Sequence, residues 1–292
     1  MARLKHETND RQKRVTSTIG LTDSKHAFNT PGERWLMLTI AGISLRINCS
    51  DEELLGLVSN SYSRFLSNSM PDLIIDVEAD ESLIAPMGPG VSIKYEGDFL
   101  SVSREDFHAH MDFNHRRGKI TQRRAVYSLD ALLRLLVAIK LVDTGGFLLH
   151  GASIIKDGKG YIFFGPSGSG KSTIAALSQN YTILGDELTA VCNVDGKYTL
   201  YSTPFWGSTP GKTIKASGGL NGIYRIYHGL YNRREKPDVV SAFKTLLPQI
   251  IRFDGHKTLI EKITDNAINL LQEVEFYNLY FLPDESFWEV IK

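Results

Sequence analysis

One segment constrains this chain more than any other. Residues 165–172 read Gly-Pro-Ser-Gly-Ser-Gly-Lys-Ser, which is the G-x-x-x-x-G-K-[ST] pattern of a phosphate-binding loop. The apolar run 161–164 before it is typical of a buried strand, and residues 172–177 after it are typical of a helix. Glycines at 165, 168 and 170 let successive backbone N–H groups point into one concavity at the positive end of that helix. The segment therefore predicts a site for a nucleotide or a polyphosphate.

The pattern also assigns roles within the loop. We expect Lys171 to reach the terminal phosphates and the Ser172 hydroxyl to take a position on Mg²⁺. The residues expected to bind the phosphates are Gly165, Pro166, Ser167, Gly168, Ser169, Gly170, Lys171, Ser172 and Thr173.

Two adjacent acids follow soon after the loop. Residues 181–185 resemble a short apolar strand, and Asp186 and Glu187 come directly after it, with Asp186 fifteen positions beyond Lys171. Because so few residues separate the loop from the two acids, we expect both carboxylates to lie beside the phosphates. Adjacent carboxylates can divide the work, one as a metal ligand and one as the base that takes a proton from an incoming hydroxyl. The alternative is a solvated acidic pair at a strand end.

A histidine precedes the loop. Residues 148–155 are predicted as one strand that contains His150, and Asp157-Gly158 predicts a hairpin turn back into the strand of the loop. Such a hairpin would place His150 close to the phosphates, where it could bond a phosphate oxygen or orient a carboxylate. The alternative is a satisfied histidine of the core.

These segments together resemble a known family. The His150-Gly151 strand, the loop 165–173, the return to Leu-Gly-Asp-Glu at 184–187 and the Thr-Pro-Phe-Trp-Gly run at 203–207 resemble HPr kinase/phosphorylase and its relatives. More distantly, they are similar to ATP-dependent phosphoenolpyruvate carboxykinases. The resemblance implies an α/β fold, with a P-loop kinase lobe of the HPr kinase/phosphoenolpyruvate carboxykinase type and a smaller α+β N-terminal lobe.

The resemblance also implies residue roles and an acceptor. Asp186 would be the base, with His150 assisting, and Glu187 stands where the family usually has a second Asp as metal ligand. Ser172, Asp186 and Glu187 are then the expected Mg²⁺ ligands, with ATP as the donor. Some relatives phosphorylate serine on ribosomally made peptides, including lasso-peptide precursors, so a peptide or protein carrying serine is the implied partner.

An arginine that stabilises the transferring phosphoryl group is a further expectation. Residues 223–228 are predicted as a core strand, and Arg225 within it is our candidate. Arg233 and Arg234 in the following turn are alternatives that the sequence does not exclude. Residues 207–219, with Lys212 and Lys215, suggest a loop that closes over substrate or else a structureless linker.

The chain is predicted to have three parts. Residues 1–30 are predicted as a flexible basic tail, residues 31–126 as an α+β lobe and residues 127–292 as the P-loop kinase lobe. The helix predicted at 127–142 marks the boundary, because its leucines follow helical spacing.

Composition and charge bear on the partners and the location of the protein. The 292 residues carry 33 basic and 33 acidic side chains, so no net charge favours nucleic acid or a membrane surface as a partner. Two cysteines are too few for a disulfide framework, and no apolar run approaches the ~20 residues of a membrane span. We expect a cytoplasmic protein, and the sequence leaves open whether it forms a homo-oligomer.

Three functions remain at this point. The leading expectation is an ATP-dependent kinase that transfers the γ-phosphoryl group to a hydroxyl, with serine of a peptide or protein as acceptor. The second is a small-molecule phosphotransferase of the same fold, such as a free-serine kinase. The third is a nucleotide-binding regulator without turnover, which the intact set of Lys171, Ser172, Asp186 and His150 disfavours.

Overall fold

The computed structural model describes residues 34–88, 90–205, 214–253 and 256–291. Within these ranges the chain forms two β-sheets that share a hydrophobic core. The predicted tail at 1–30 lies outside the described residues. So do Trp206, Gly207 and Lys212, which belong to the predicted loop and to the motif at 203–207.

The first sheet has seven strands in the order β1-β2-β3-β7-β6-β5-β4. The pairs β2–β3 and β3–β7 are parallel, and the other neighbours are antiparallel. Helix α1 makes the crossover between β2 and β3, as a parallel connection requires. The elements are β1 (Trp35–Ile40), β2 (Ile43–Cys49), α1 (Glu52–Ser61), β3 (Leu73–Ala79), β4 (Ser92–Glu96), β5 (Phe99–Arg104), β6 (Phe107–Asp112) and β7 (Arg117–Gln122).

Local sequence explains most of these elements. Ala41 and Gly42 both have positive φ, 49° and 84°, which is the backbone of a tight hairpin turn between β1 and β2. The Asp51 carboxylate accepts a hydrogen bond of 2.9 Å from Leu54 N and so caps α1. In β6, buried and exposed side chains alternate, so one face of the strand packs on the core.

Helix α2 (Val126–Asp143) connects the two sheets and lies between elements of both. Its side chains are buried around most of its circumference, so the predicted amphipathic helix is in fact an element of the central core. Each of its buried leucines contributes about 1.5–3 kcal/mol relative to an exposed one. None of the helices in the described part of the chain combines the length and apolar character needed to cross a membrane.

The second sheet has nine strands, and its main path is β11-β9-β10-β14-β13-β12-β8. Strand β16 pairs with β14 and with β15. The elements are β8 (Phe147–His150), β9 (Ala152–Lys156), β10 (Lys159–Phe164), α3 (Lys171–Leu177), β11 (Thr182–Gly185), β12 (Leu188–Val194), β13 (Lys197–Tyr201), β14 (Ser217–His228), β15 (Arg233–Glu235), α4 (Val239–Leu246), α5 (Lys257–Glu273) and β16 (Phe276–Phe281).

The predicted fold class, an α/β P-loop kinase lobe with a smaller α+β lobe, is wrong. The protein consists mostly of strands in two mixed sheets, and in the second sheet only β10, β14 and β16 are parallel neighbours. The physical reason lies in the connections. Tight turns with positive φ at Asp157-Gly158 and Asp195-Gly196 return the chain antiparallel, whereas an α/β lobe needs helical crossovers.

The single strand predicted at 148–155 is interrupted at Gly151 and so forms two strands. Strand β8 pairs with β12 and β9 pairs with β11 in one antiparallel register, and β9 has β10 as a second neighbour. Gly151 separates the two strands, and a Cβ atom there would lie 2.9 Å from the Phe163 carbonyl oxygen. His150 is therefore the last residue of a strand. The periodicity of apolar residues does not show whether a residue lies at the end of a strand or in its middle.

A buried ion pair connects the first sheet to α2. The fully buried Asp106 accepts hydrogen bonds from Arg104 Nε at 2.5 Å, from Arg104 Nη2 at 2.9 Å and from the Ser128 hydroxyl of α2 at 2.5 Å. Burial opposes ionisation, but the hydrogen bonds from Arg104 and Ser128 outweigh it and lower the pKa of Asp106. The folded protein therefore holds the Asp106 carboxylate in its ionised form.

We predict that Asp106→Asn lowers the free energy of unfolding by about 3–5 kcal/mol, because the mostly buried Arg104 loses its charge partner. Urea unfolding at neutral pH measures this. A lowered pKa in the folded state stabilises above the unfolded value, so wild type should lose the contribution as pH falls below about 3.9, and the variant should lack that loss. Asp98→Asn, at an exposed turn, is the control, and equal stability of the two variants would contradict the prediction.

Candidate functional site

The candidate site forms where two paired segments of the second sheet, β8–β9 and β11–β12, are both interrupted at the same level. The chain leaves β8 for β9 at Gly151, and it leaves β11 for β12 at Asp186 and Glu187. Gly151 N donates a hydrogen bond of 2.9 Å to the Glu187 carbonyl, and His150 is paired with Leu188. This pairing places the histidine and the two acids side by side.

The phosphate loop lies at the end of β10, which neighbours β9 in the sheet. Gly168 and Gly170 have φ of 79° and 104°, a region that favours glycine. A Cβ atom on Gly170 would lie 2.6 Å from Cζ of Phe281, at the end of β16. His228 Nε2, at the end of β14, lies 3.0 Å from the Gly168 carbonyl oxygen. The ends of two parallel strands therefore hold the loop in place.

An aromatic cluster supports the loop and α3 from below. Phe163 of β10 is stacked on Tyr224 with ring centres 5.4 Å apart, and Trp288 meets the same ring edge-on at 5.5 Å. Trp288 Nε1 donates to the Ser178 hydroxyl at 3.2 Å, at the residue that ends α3. Such ring contacts contribute about 0.5–1.5 kcal/mol each beyond buried area and fix the base of the site.

The loop, the histidine and the acids share one cleft with a volume of about 530 Å³. This is within the range of sites for small ligands. The cleft is lined by His150, Gly165, Pro166, Ser167, Gly168, Gly170, Lys171, Ser172, Thr173, Asp186, Glu187 and Gln249. Of the predicted loop residues, Ser169 is buried and does not line it.

Lys171 is held by neutral groups. Its Nζ donates to the carbonyl oxygens of Gly165 at 2.8 Å and Pro166 at 3.2 Å. Partial burial lowers the pKa of Lys171. Because neither partner is an anion, the ammonium charge remains uncompensated in the cleft, and a phosphate would be a better partner than either carbonyl.

His150 faces the cleft as a neutral ring. Partial desolvation, together with the nearby Lys171 charge, lowers the pKa of His150 below its usual 6.5. At neutral pH the imidazole therefore carries one donor and one acceptor nitrogen. It can donate to an anion or orient a carboxylate without adding charge.

The two adjacent acids lie in different environments. One carboxylate oxygen of Asp186, Oδ1, is buried and accepts no hydrogen bond from any residue in the described part of the chain. Glu187 Oε1, in contrast, lies 3.5 Å from Arg134 Nη1. Desolvation raises the pKa of Glu187, and the Arg134 charge opposes that rise. A buried carboxylate oxygen without a partner is costly, so Asp186 is where a cation or a donor fits best.

These residues fit a magnesium ion that is shared with phosphates. Mg²⁺ is usually held by one or two carboxylates together with phosphate oxygens and water, and Ser172, Asp186 and Glu187 provide a hydroxyl and two carboxylates. The described residues contain no group of three or more His, Cys, Asp or Glu side chains that could hold a metal without such help.

The predicted arginines lie elsewhere. The Arg225 guanidinium stacks 4.9 Å from the Tyr227 ring centre, Arg233 stacks on Tyr280, and Arg234 stacks on Tyr277. None of the three is among the described residues that line the cleft. The catalytic role expected for Arg225 therefore gains no support from its position.

Sequence reasoning missed two residues at the cleft. Gln249 ends the 3-10 helix Leu247–Gln249 after α4, and the bridge between Ile250 and Leu149 places it beside the end of β8. Arg134 of α2 contacts Glu187, which lines the cleft. Both contacts join segments that are far apart in the chain, and neither residue belongs to a motif, so no pattern in the sequence points to them.

Comparison with known proteins matches part of the chain to a protein family. A family model described as "SynChlorMet cassette protein ScmC" matches residues 120–217, from the end of β7 to the start of β14. The match contains His150, the phosphate loop and both acids, and it covers less than half of the chain. No curated protein matches the chain.

The predicted resemblance to HPr kinase/phosphorylase is therefore wrong, since the family that matches this segment is ScmC. The physical reason is that the motifs behind the prediction serve phosphate chemistry in general. A glycine-rich loop, its lysine and an acid at a strand end are what any site for nucleotide phosphates needs. They indicate a ligand class more reliably than they indicate a family.

We predict that Gly170→Ala destabilises the protein more than Gly168→Ala. Both place a side chain at positive φ, which costs about 1–2 kcal/mol. Only position 170 also meets the buried Phe281 ring, which adds about 1–3 kcal/mol, whereas no atom lies within 4 Å of a Cβ at 168. Urea unfolding of the two variants compares them, and equal losses would show that the ring contact has no effect. Adding Phe281→Leu to Gly170→Ala should restore part of the difference.

Proposed function

We propose that this protein is a phosphotransferase that moves the γ-phosphoryl group of ATP, bound with Mg²⁺, to a hydroxyl. One observation carries the proposal. A complete phosphate loop, whose Lys171 donates to two neutral carbonyls, shares a cleft with Asp186, one oxygen of which is buried without a hydrogen-bond partner among the described residues. A module that only binds a nucleotide needs the loop and a metal ligand, whereas two adjacent acids can also provide a base for the hydroxyl proton.

The loop accounts for donor binding. Backbone N–H groups of residues 165–173 would surround the β- and γ-phosphates, and Lys171 would leave the carbonyls of Gly165 and Pro166 for a phosphate oxygen. Mg²⁺ neutralises charge on the phosphates. Ser172, Asp186 and Glu187 would hold it at the cleft.

Asp186 and His150 account for the transfer. The acceptor hydroxyl oxygen would form a bond to the γ-phosphorus while the bond from that phosphorus to the β,γ-bridging oxygen breaks, releasing ADP. The hydroxyl proton would pass to the Asp186 carboxylate. The neutral His150 ring could donate to a phosphate oxygen or orient Asp186, and both roles suit its place in the cleft.

The size of the cleft bears on the acceptor. A volume of about 530 Å³ suits one small ligand, and a bound nucleotide would take up much of it. A hydroxyl on a side chain that reaches in from a larger molecule then fits better than a second free ligand. We therefore propose serine of a peptide or protein as acceptor, with a small-molecule hydroxyl as the alternative.

We predict that Asp186→Asn lowers phosphoryl transfer by about 10²–10⁴-fold while ATP affinity stays within a few-fold, because the base is lost but the loop is intact. The measurement uses γ-labelled ATP with Mg²⁺ and cell lysate, and counts protein, peptide and metabolite fractions separately. Asp195→Asn changes an exposed acid of a hairpin turn in the same way and should transfer as wild type does.

The fractions distinguish the remaining functions. Label in protein or peptide that disappears with Asp186→Asn supports the proposed acceptor class. Label in metabolites assigns a small-molecule phosphotransferase instead. If wild type binds ATP and transfers label to no fraction, the enzyme proposal fails and a nucleotide-binding regulator replaces it.

A further inference from the structure

A chain of polar side chains connects the acidic side of the cleft to the first sheet region. Glu187 Oε1 lies 3.5 Å from Arg134 Nη1, and Arg134 Nε lies 2.7 Å from Asp130 Oδ2. The other oxygen of Asp130, Oδ1, accepts a hydrogen bond of 2.7 Å from the Tyr62 hydroxyl. The chain thus runs from the cleft, along α2, to the end of α1.

The far end of this chain is rigid. Tyr62 follows α1 directly and is only 2% exposed. Burial and the Asp130 charge raise the pKa of Tyr62, so its hydroxyl stays protonated and donates a hydrogen bond to Asp130. Because each Asp130 oxygen has its own donor, the carboxylate cannot rotate without losing a bond.

Arg134 is fixed by more than its charge. It lies one helical turn after Asp130 on α2, and its guanidinium lies 5.6 Å from the ring centre of the buried Phe205. Asp130 takes Nε, which leaves Nη1 directed at Glu187. A guanidinium held by its Nε and by a ring presents its remaining donors in one direction.

Glu187 depends on Arg134 for the position of its side chain. Its backbone is fixed by the hydrogen bond from Gly151 N, but its only charged side-chain contact among the described residues is with Arg134. Arg134 Nη1 contacts Oε1 of this carboxylate. Oδ1 of the adjacent Asp186 accepts no hydrogen bond from the described residues.

We propose that Arg134 is a positioning residue that holds the Glu187 carboxylate for the metal-bound nucleotide and is itself held by Asp130 and Tyr62. The packing of α1 against α2 thereby determines the geometry of the acidic side of the cleft. This inference rests on the proposed function, because it assumes that the cleft takes a nucleotide with Mg²⁺.

The test measures how much Mg²⁺ strengthens nucleotide binding. Calorimetry gives the Kd of the non-hydrolysable β,γ-imido analogue of ATP with and without Mg²⁺, and the ratio of the two values reports on the groups that hold Mg²⁺. In Arg134→Gln we expect this ratio to fall about tenfold, which is a usual size for coupling between sites. The Kd without Mg²⁺ should stay within about twofold, since the loop is unchanged.

Three further variants give the controls. Arg134→Lys keeps the charge and should restore part of the ratio, and Tyr62→Phe removes only one hydroxyl and should lower it by a smaller factor. Arg117→Gln breaks an ion pair with Asp76, 2.8 Å long, on the first sheet outside the cleft lining, and should leave the ratio unchanged. Thermal unfolding shows which variants are folded. If Arg134→Gln does not fold, the Mg²⁺ ratio of Tyr62→Phe tests the positioning role instead.

The outcomes separate the inference from the proposed function. If wild type shows a Mg²⁺ effect that Arg134→Gln retains in full, the positioning role is overturned and the function stands. An equal loss of affinity with and without Mg²⁺ also overturns it, because that result indicates a general structural role. If wild type binds no analogue under either condition, the proposed function fails as well.

Discussion

The site depends on one backbone hydrogen bond, the 2.9 Å contact between Gly151 N and the Glu187 carbonyl. It lies where two paired antiparallel segments, β8–β9 and β11–β12, are interrupted side by side within one register. This pairing brings together His150 on one segment and the two acids on the other. The close approach needs a glycine, because a side chain at 151 would collide with the backbone of β10. The phosphate loop at the end of β10 completes the cleft from the adjacent strand.

The charges in the cleft are unequally satisfied, and the inequality indicates function. Among the described residues, Lys171 donates to two neutral carbonyls, and one oxygen of Asp186 has no donor. Most buried polar groups in proteins are paired, so unpaired groups of opposite charge in one cleft favour a ligand that satisfies both. A phosphate with a bound cation has that charge pattern. Glu187, in contrast, has a partner supplied through α2 by a region of the chain that carries none of the recognised motifs.

Much of the local structure was predictable, and the site followed from it in part. The strand–loop–helix context of residues 161–177, the hairpin turns with Asp157-Gly158 and Asp195-Gly196, and helix α2 were all expected from spacing and turn chemistry. His150, Lys171, Ser172, Asp186 and Glu187 were expected near one another and line one cleft. The fold class was wrong because the phosphate loop is common to several strand arrangements. The family was wrong because its motifs follow from the ligand. Arg134 and Gln249 were missed because long-range packing alone brings them to the cleft.

The sequence by itself determined the chemistry that this chain can offer: a phosphate loop with its lysine and hydroxyl, a histidine before it and two acids after it. These are properties of short segments, and local backbone preferences carry them. Only the tertiary structure decided that the sheets are mixed, that Glu187 contacts Arg134 while Asp186 Oδ1 accepts no hydrogen bond from the described residues, and that the predicted arginines do not line the cleft. Those outcomes depend on which strands become neighbours and on which helix is buried between the sheets. They are set by the free energy of the whole core rather than by any segment of it.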